Sequence, residues 1–147
     1  MRTIPARRTK NGLTHIVPRP PFSVDFITVA LDANDASPFL FPARRLVPQA
    51  LDGNRVSQQC KALYREIGVP TMRLHDLRHQ AATGMAECGV PLEIRQLVMN
   101  QITGRRQAIG ARYDQHDYFN EKLRALTLWS AKLCACVSGA AISTERY

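Results

Sequence analysis

The sequence has few of the features that mark secreted, membrane-spanning or metal-binding proteins. Its four cysteines stand at positions 60, 88, 134 and 136, a spacing that matches neither paired zinc ligands nor a small disulfide framework. No apolar run approaches the length that spans a bilayer, and the basic N-terminus leads into proline-rich polar sequence, not a hydrophobic signal core. These absences predict a soluble cytoplasmic protein with reduced thiols, no metal site and no membrane partner.

Acidic residues are missing from two stretches of the chain. The 147 residues include 20 lysines and arginines against 12 aspartates and glutamates, a formal net charge of +8, yet residues 1–24 and 94–113 contain no acid. Such an excess attracts polyanions and releases their counterions on binding, although a solvated surface is an equal alternative for either stretch alone. We predict that nucleic-acid phosphates are contacted by Arg7, Arg8, Arg105, Arg106 and Arg112.

Apolar periodicity and turn residues predict a mainly α-helical chain with one small β-hairpin. Asn11-Gly12 favours a tight turn within residues 3–18, which places Lys10 at the hairpin tip. The length suits a single domain over residues 1–137, followed by a loose tail over 138–147. Apolar residues at helical spacing predict helices over 22–33, 54–67, 75–88 and 118–136, with a shorter one after Pro91; Gly68 and Gly89 are predicted to end the second and the third.

The run His75-Asp76-Leu77-Arg78-His79 carries two groups suited to phosphate chemistry. Arg78 stays protonated, and its planar fork donates two hydrogen bonds to nonbridging phosphate oxygens. His75 lies three residues earlier, on the same face of a helix, where it either holds the phosphate or accepts a proton as a general base. Tyr113 follows Arg78 by 35 residues, and its phenol is a candidate nucleophile once such groups neutralise the developing charge.

These residues, in this order, resemble the catalytic domain of tyrosine recombinases, the phage integrase family, whose box reads His-x-x-Arg. The run from Ala111 through Tyr118, with Glu121-Lys122 and Trp129 beyond it, is similar to the segment around the family's nucleophile. The resemblance implies a mainly α DNA breaking-rejoining domain that acts through a 3′-phosphotyrosyl link without ATP, metal or other cofactor. It also implies homo-oligomers on double-stranded DNA in the bacterial cytoplasm, associated with the nucleoid.

The resemblance assigns a role to each candidate residue. Tyr113 is the nucleophile and Tyr118 a structural residue, while Lys10 matches a hairpin lysine that protonates the departing 5′ oxygen. Gln101 stands where the family usually has a histidine; it donates a hydrogen bond but carries no cationic charge. The family's first catalytic arginine, upstream of the hairpin, has no match here. We therefore expect a truncated catalytic domain with weak or no activity of its own.

Two alternatives remain beside an active recombinase. One is a catalytically dead, DNA-binding remnant of a prophage integrase, which keeps the fold and the basic surface but not the reaction. The other is a basic helical interaction domain in which the motif is accidental, because a single His-x-x-Arg or a single tyrosine more often belongs to ordinary surface or core. A covalent adduct with DNA distinguishes an active recombinase from the inactive remnant. Salt-sensitive DNA binding distinguishes both of these from the interaction domain.

Overall fold

The computed structural model describes residues 1–33, 37–43, 49–101 and 118–139. Within these ranges the chain forms five α-helices and one two-stranded antiparallel sheet, which confirms the mainly helical prediction. The elements are β1 (Arg2–Ile4), β2 (His15–Val17), α1 (Pro21–Asp32), α2 (Gly53–Glu66), α3 (Leu74–Glu87), α4 (Leu92–Val98) and α5 (Phe119–Ser138). None of the described helices is both long enough and apolar enough to cross a membrane.

The chain divides into two compact units. Residues 1–21 and 81–147 form the first unit, and residues 22–80 form the second. The first unit contains the hairpin, the last turns of α3, and the whole of α4 and α5. The second unit contains α2 and the first turns of α3. The domain over residues 1–137 and the tail over 138–147 stay predictions; Ser138 is the last residue of α5, and residues 140–147 lie outside the described ranges.

The hairpin does not close by the tight two-residue turn predicted from the sequence. A type I′ turn needs positive φ at both central residues, but only Gly12 of the pair adopts it, at +68°. The strands are three residues long, and a 3-10 turn at Ala6–Arg8 lies between them. The Thr9 hydroxyl lies 2.8 Å from the carbonyl oxygens of both Ala6 and Leu13 and can donate to either. A longer, internally bonded loop therefore replaces the short turn.

The helices α2, α3 and α4 end with the same left-handed motif, in which the second residue beyond the helix has positive φ. The N–H of the following residue then donates to a carbonyl five positions earlier, which satisfies one of the helix's orphan acceptors. These bonds join Val69 to Tyr64, Val90 to Met85 and Gln101 to Gln96, at 2.7, 3.0 and 2.8 Å. The stops predicted at Gly68 and Gly89 are confirmed, with φ of +81° and +79°. Asn100, at 51°, ends α4 in the same way.

The core of the first unit forms where the end of α3 and α4 pack with α5. Met85 and Ala125 are fully buried at its centre, and α4 and β2 both contact α5. The core also contains Cys88, Val90, Ile94 and Met99, with Ala81, Ala82, Leu97, Val98, Tyr118, Leu128 and Trp129 packed at its edge. On α5 the buried residues are Lys122, Ala125 and Ser130, and the large apolar residues beside them are only half-buried.

The sequence predicts an apolar face of α2 made up of Val56, Cys60, Leu63 and Ile67, and the second half of that prediction is wrong. Leu63 and Ile67 are 51% and 61% exposed, whereas Tyr64 is buried at 6% exposure. The buried positions repeat every four residues, from Val56 through Cys60 to Tyr64, and a tyrosine extends that stripe because its ring is apolar and only its tip is polar. The sequence pattern alone is compatible with a buried face that continues from Cys60 to either Leu63 or Tyr64.

Gly84 lets α3 approach the aromatic ring of Trp129. A Cβ added at Gly84 would overlap the six-membered part of that ring, well inside van der Waals contact. Glycine in a helix interior destabilises the helix by about 0.5–1 kcal/mol relative to alanine, so its presence here reflects packing and not helix propensity.

We predict that Gly84→Ala lowers the free energy of unfolding by about 1–3 kcal/mol, because the overpacked methyl forces Trp129 or the helix to shift. Urea unfolding followed by Trp129 fluorescence measures the change. Gly53→Ala is the matched control, since a Cβ there meets nothing within 4 Å, and we expect a change of less than about 1 kcal/mol. Equal stability of Gly84→Ala and the parent protein would show that the glycine is not needed for packing.

Candidate active site

The His75-to-His79 motif occupies the first two turns of α3, and its own aspartate fixes where that helix begins. The Arg73 N–H donates to Asp76 Oδ2 at 2.8 Å, and the Asp76 N–H donates back to the Arg73 carbonyl at 2.9 Å. A carboxylate in the first turn also interacts favourably with the positive end of the helix dipole. The sequence interpretation gave Asp76 no role, although an acid at the third position of a helix is the signal for one.

His75 and Arg78 share one face of this helix start, as predicted from their spacing. His75 is exposed and Arg78 is half-buried, and side chains three residues apart on a helix are neighbours. The His75 and His79 rings meet edge to face, with centroids 5.0 Å apart. The two candidate phosphate ligands thus lie at a fixed, capped end of a helix, where backbone N–H groups also favour anions.

Tyr64 on α2 is a buried residue of the second unit whose phenol is influenced by the charge of the same Asp76. Burial raises the pKa of the Tyr64 phenol, and the Cys60 thiol and the Asp76 carboxylate raise it further. The sequence interpretation missed Tyr64; the four-residue repeat that leads to it was the available signal.

Lys10 lies in the hairpin loop with its side chain exposed. The hairpin is attached to the helices of the first unit at two places. Asn11 Nδ2 donates to Asn100 Oδ1, 2.8 Å away, at the end of α4. The ammonium of Lys122, itself 5% exposed, donates to the Ile16 carbonyl at 3.0 Å. The hairpin is therefore fixed to α4 through its loop and to α5 through β2.

Gln101 directly follows this attachment. It is exposed, and its backbone N–H is held by the Gln96 carbonyl, so the residue has a defined position at the end of α4. The structure thus brings the neighbour of Lys10 into contact with the neighbour of Gln101, although the two residues are far apart in sequence. Sequence reasoning did not find this asparagine pair, since amides at such separation leave no local pattern.

The predicted DNA-binding arginines fall into two groups. Arg7 and Arg8 lie exposed on the 3-10 turn of the hairpin loop, as a phosphate contact requires. Arg105, Arg106 and Arg112 lie outside the described residues, and so does Tyr113.

The cysteines take part in neither a disulfide nor a metal cluster within the described part of the chain. All four cysteines are free thiols. Within residues 1–33, 37–43, 49–101 and 118–139 no three side chains of the metal-binding types come together.

Residues 1–102 match the Phage integrase family. The match covers more than half of the chain and includes the hairpin with Lys10, the motif with His75 and Arg78, and Gln101. No curated protein and no solved structure matches the chain. The chain therefore belongs to the Phage integrase family, which implies DNA binding and site-specific DNA recombination in general. Tyr113 lies beyond the matched residues.

We predict that Asp76→Ala loosens the first turn of α3. Loss of the acceptor for the Arg73 N–H should speed hydrogen exchange at that amide about tenfold, which corresponds to about 1 kcal/mol for one hydrogen bond. Asp76→Asn keeps an acceptor oxygen and should exchange at nearly the parent rate. If both variants exchange equally fast, the charge of Asp76 and not its hydrogen bond holds the turn.

Proposed function

We propose that this protein cuts and rejoins DNA at specific sites through a 3′-phosphotyrosyl intermediate, with Tyr113 as the nucleophile. The phenol oxygen of Tyr113 forms a bond to phosphorus as the bond from phosphorus to the 5′ oxygen breaks. The ammonium of Lys10 gives a proton to that departing oxygen, and the phenol proton passes to His75 or to solvent. The link conserves the bond energy, so the reverse attack by a 5′ hydroxyl rejoins the strand without another energy source.

The observation that carries this proposal is the capped start of α3. Arg78 and His75 share the face of a helix whose first turn is fixed by Asp76. Arg78 would hold two nonbridging oxygens and stabilise the charge that develops on them. An arginine held on a helix rather than on a loop keeps its geometry when the phosphate arrives, which is the condition for electrostatic stabilisation of a transition state.

The basic surface supports double-stranded DNA as the partner. Arg7 and Arg8 are exposed beside Lys10, and we propose that they bind backbone phosphates together with Arg105, Arg106 and Arg112. Each neutralised phosphate releases counterions, so affinity should fall steeply with salt. Assembly into homo-oligomers on DNA and association with the nucleoid belong to the same proposal, by analogy with the family.

Gln101 favours a second candidate, a DNA-binding remnant of a prophage integrase without catalysis. An amide can donate one hydrogen bond to the phosphate but supplies no positive charge, so the transition state is stabilised less than by a protonated imidazole. We propose weak activity for this chain on that ground, and the reaction itself decides between the two candidates.

A nicked suicide substrate tests the proposal. After cleavage its short 5′ fragment diffuses away, so a covalent protein–DNA adduct accumulates and can be counted on a denaturing gel. We predict that Tyr113→Phe abolishes the adduct and leaves salt-dependent DNA affinity unchanged, because only the nucleophilic oxygen is lost. Arg78→Ala should reduce the rate about 10²–10³-fold.

Tyr118→Phe is the matched control, since it removes the phenol nearest in sequence to Tyr113 and should leave adduct formation at the parent level. An adduct that survives Tyr113→Phe would assign another nucleophile. DNA binding with no adduct in the parent protein would support the remnant, and the absence of salt-dependent binding would leave a basic interaction domain.

Gln101→His provides a gain-of-function test. A protonated imidazole at this position adds a charged donor to the phosphate, and we predict that adduct formation accelerates about tenfold or more, increasingly below the imidazole's ordinary pKa. Single-turnover rates between pH 5.5 and 8 measure the change, with Gln101→Asn as the neutral control. A rate that does not respond to the histidine would place Gln101 away from the phosphate.

A further inference from the structure

We infer that the Asn11–Asn100 hydrogen bond is a positioning device that holds the lysine-bearing loop beside Gln101. Each asparagine stands next to a residue with a proposed role in the reaction, Asn11 next to Lys10 and Asn100 next to Gln101. Their side chains meet at 2.8 Å across a separation of 89 residues. The inference rests on the proposed function, because it assigns a task to the contact only if Lys10 and Gln101 serve one phosphate.

The donor and acceptor in this bond are fixed by the structure around it. Asn11 Oδ1 accepts from the Leu13 N–H at 3.2 Å, and a backbone N–H can only donate. The amide nitrogen of Asn11 must therefore face Asn100, whose carbonyl oxygen is the acceptor. This assignment matters because an aspartate at position 100 would keep the bond, whereas glycine would remove it.

The backbone at Asn100 is equally specific. Its φ of 51° is in the left-handed region that only glycine and, less readily, asparagine and aspartate adopt at low cost. The same conformation directs the Gln101 N–H to the Gln96 carbonyl. One residue thus ends α4, sets the position of Gln101 and presents an acceptor to the hairpin loop.

A lysine on a loop needs such a restraint because its long side chain has many rotamers. Protonation of a departing oxygen requires the donor within hydrogen-bond distance, and a misplacement of about 1 Å can reduce a rate about 10²-fold. The second attachment, from Lys122 to Ile16, holds the β2 strand and not the loop tip. Of these two attachments, the asparagine pair is the one at the loop that carries Lys10.

Two substitutions at one position test this inference with a matched design. Asn100→Gly keeps the left-handed backbone and removes the acceptor, whereas Asn100→Asp keeps the acceptor and adds a negative charge. If the bond positions Lys10, Asn100→Gly lowers adduct formation about tenfold and Asn100→Asp restores most of the rate. If only charge mattered, the negative charge of Asn100→Asp would repel DNA and make it the slower of the two variants. The order of the two rates therefore distinguishes the explanations. Far-ultraviolet circular dichroism and urea unfolding verify that both variants are folded.

The leaving group shows whether the effect passes through Lys10. A substrate with sulfur in place of the departing 5′ oxygen needs no proton from the enzyme, because a thiolate leaves unaided. The defects of Asn100→Gly and Lys10→Ala should both shrink to less than about twofold on this substrate. An Asn100→Gly defect that is equally large with oxygen and with sulfur would overturn the inference.

A double-mutant cycle based on DNA affinity tests the inference without requiring catalysis. Binding of a nicked duplex is measured for the parent protein, Lys10→Ala, Asn100→Gly and the double variant at one salt concentration. A positioning role makes the loss from Asn100→Gly disappear in the Lys10→Ala background, and additive losses would refute it. If the parent protein binds DNA but forms no adduct, the catalytic proposal fails while this cycle still tests the contact. If no salt-dependent binding occurs, both proposals fail.

Discussion

The hairpin of this protein is too short to be stable by itself, and much of the candidate site depends on the tertiary contacts that stabilise it. Two strands of three residues make a sheet that is marginally stable in water at best. Tertiary contacts supply the rest, through the buried Lys122 ammonium on the Ile16 carbonyl and through the Asn11–Asn100 pair. Because both contacts are polar and directional, they fix the orientation of the hairpin as well as its presence. The loop with Lys10 is defined by helices far from it in sequence.

The helix that carries His75 and Arg78 is organised by a different principle. Its start is set locally, by the reciprocal bonds between Arg73 and Asp76. Its far end packs in the core of the first unit, where Met85 is fully buried and Gly84 admits the Trp129 ring. Where α3 reaches the core, Lys132 forms an ion pair with Glu87, and this hydrogen bond raises the pKa of the lysine although partial burial opposes the shift. The candidate phosphate ligands lie at the other end of the helix from Met85 and Gly84 and are not part of the core.

Membership of the Phage integrase family and the proposed chemistry rest on different parts of the chain. The matched residues contain the lysine, histidine, arginine and glutamine positions, while Tyr113 rests on its spacing from Arg78 and on the run of residues around it. In the proposed site, Gln101 would offer the phosphate a hydrogen-bond donor but not the positive charge of the histidine that is usual in the family. Under the same proposal, DNA affinity would persist when catalysis is weak, because the arginines proposed to bind DNA are not the groups proposed to carry the reaction.

The sequence alone determined the helical class, the left-handed stops at Gly68 and Gly89, and the shared face of His75 and Arg78, because each follows from spacing within a few residues. It also determined the basic character and the family, which depend on composition and on ordered motifs. Only the tertiary structure decided that Tyr64 and not Leu63 is buried, since both continue the stripe of α2. The same is true of the Asn11–Asn100 bond and the Lys122 attachment. Contacts between residues distant in sequence are selected by packing, and no local pattern encodes them.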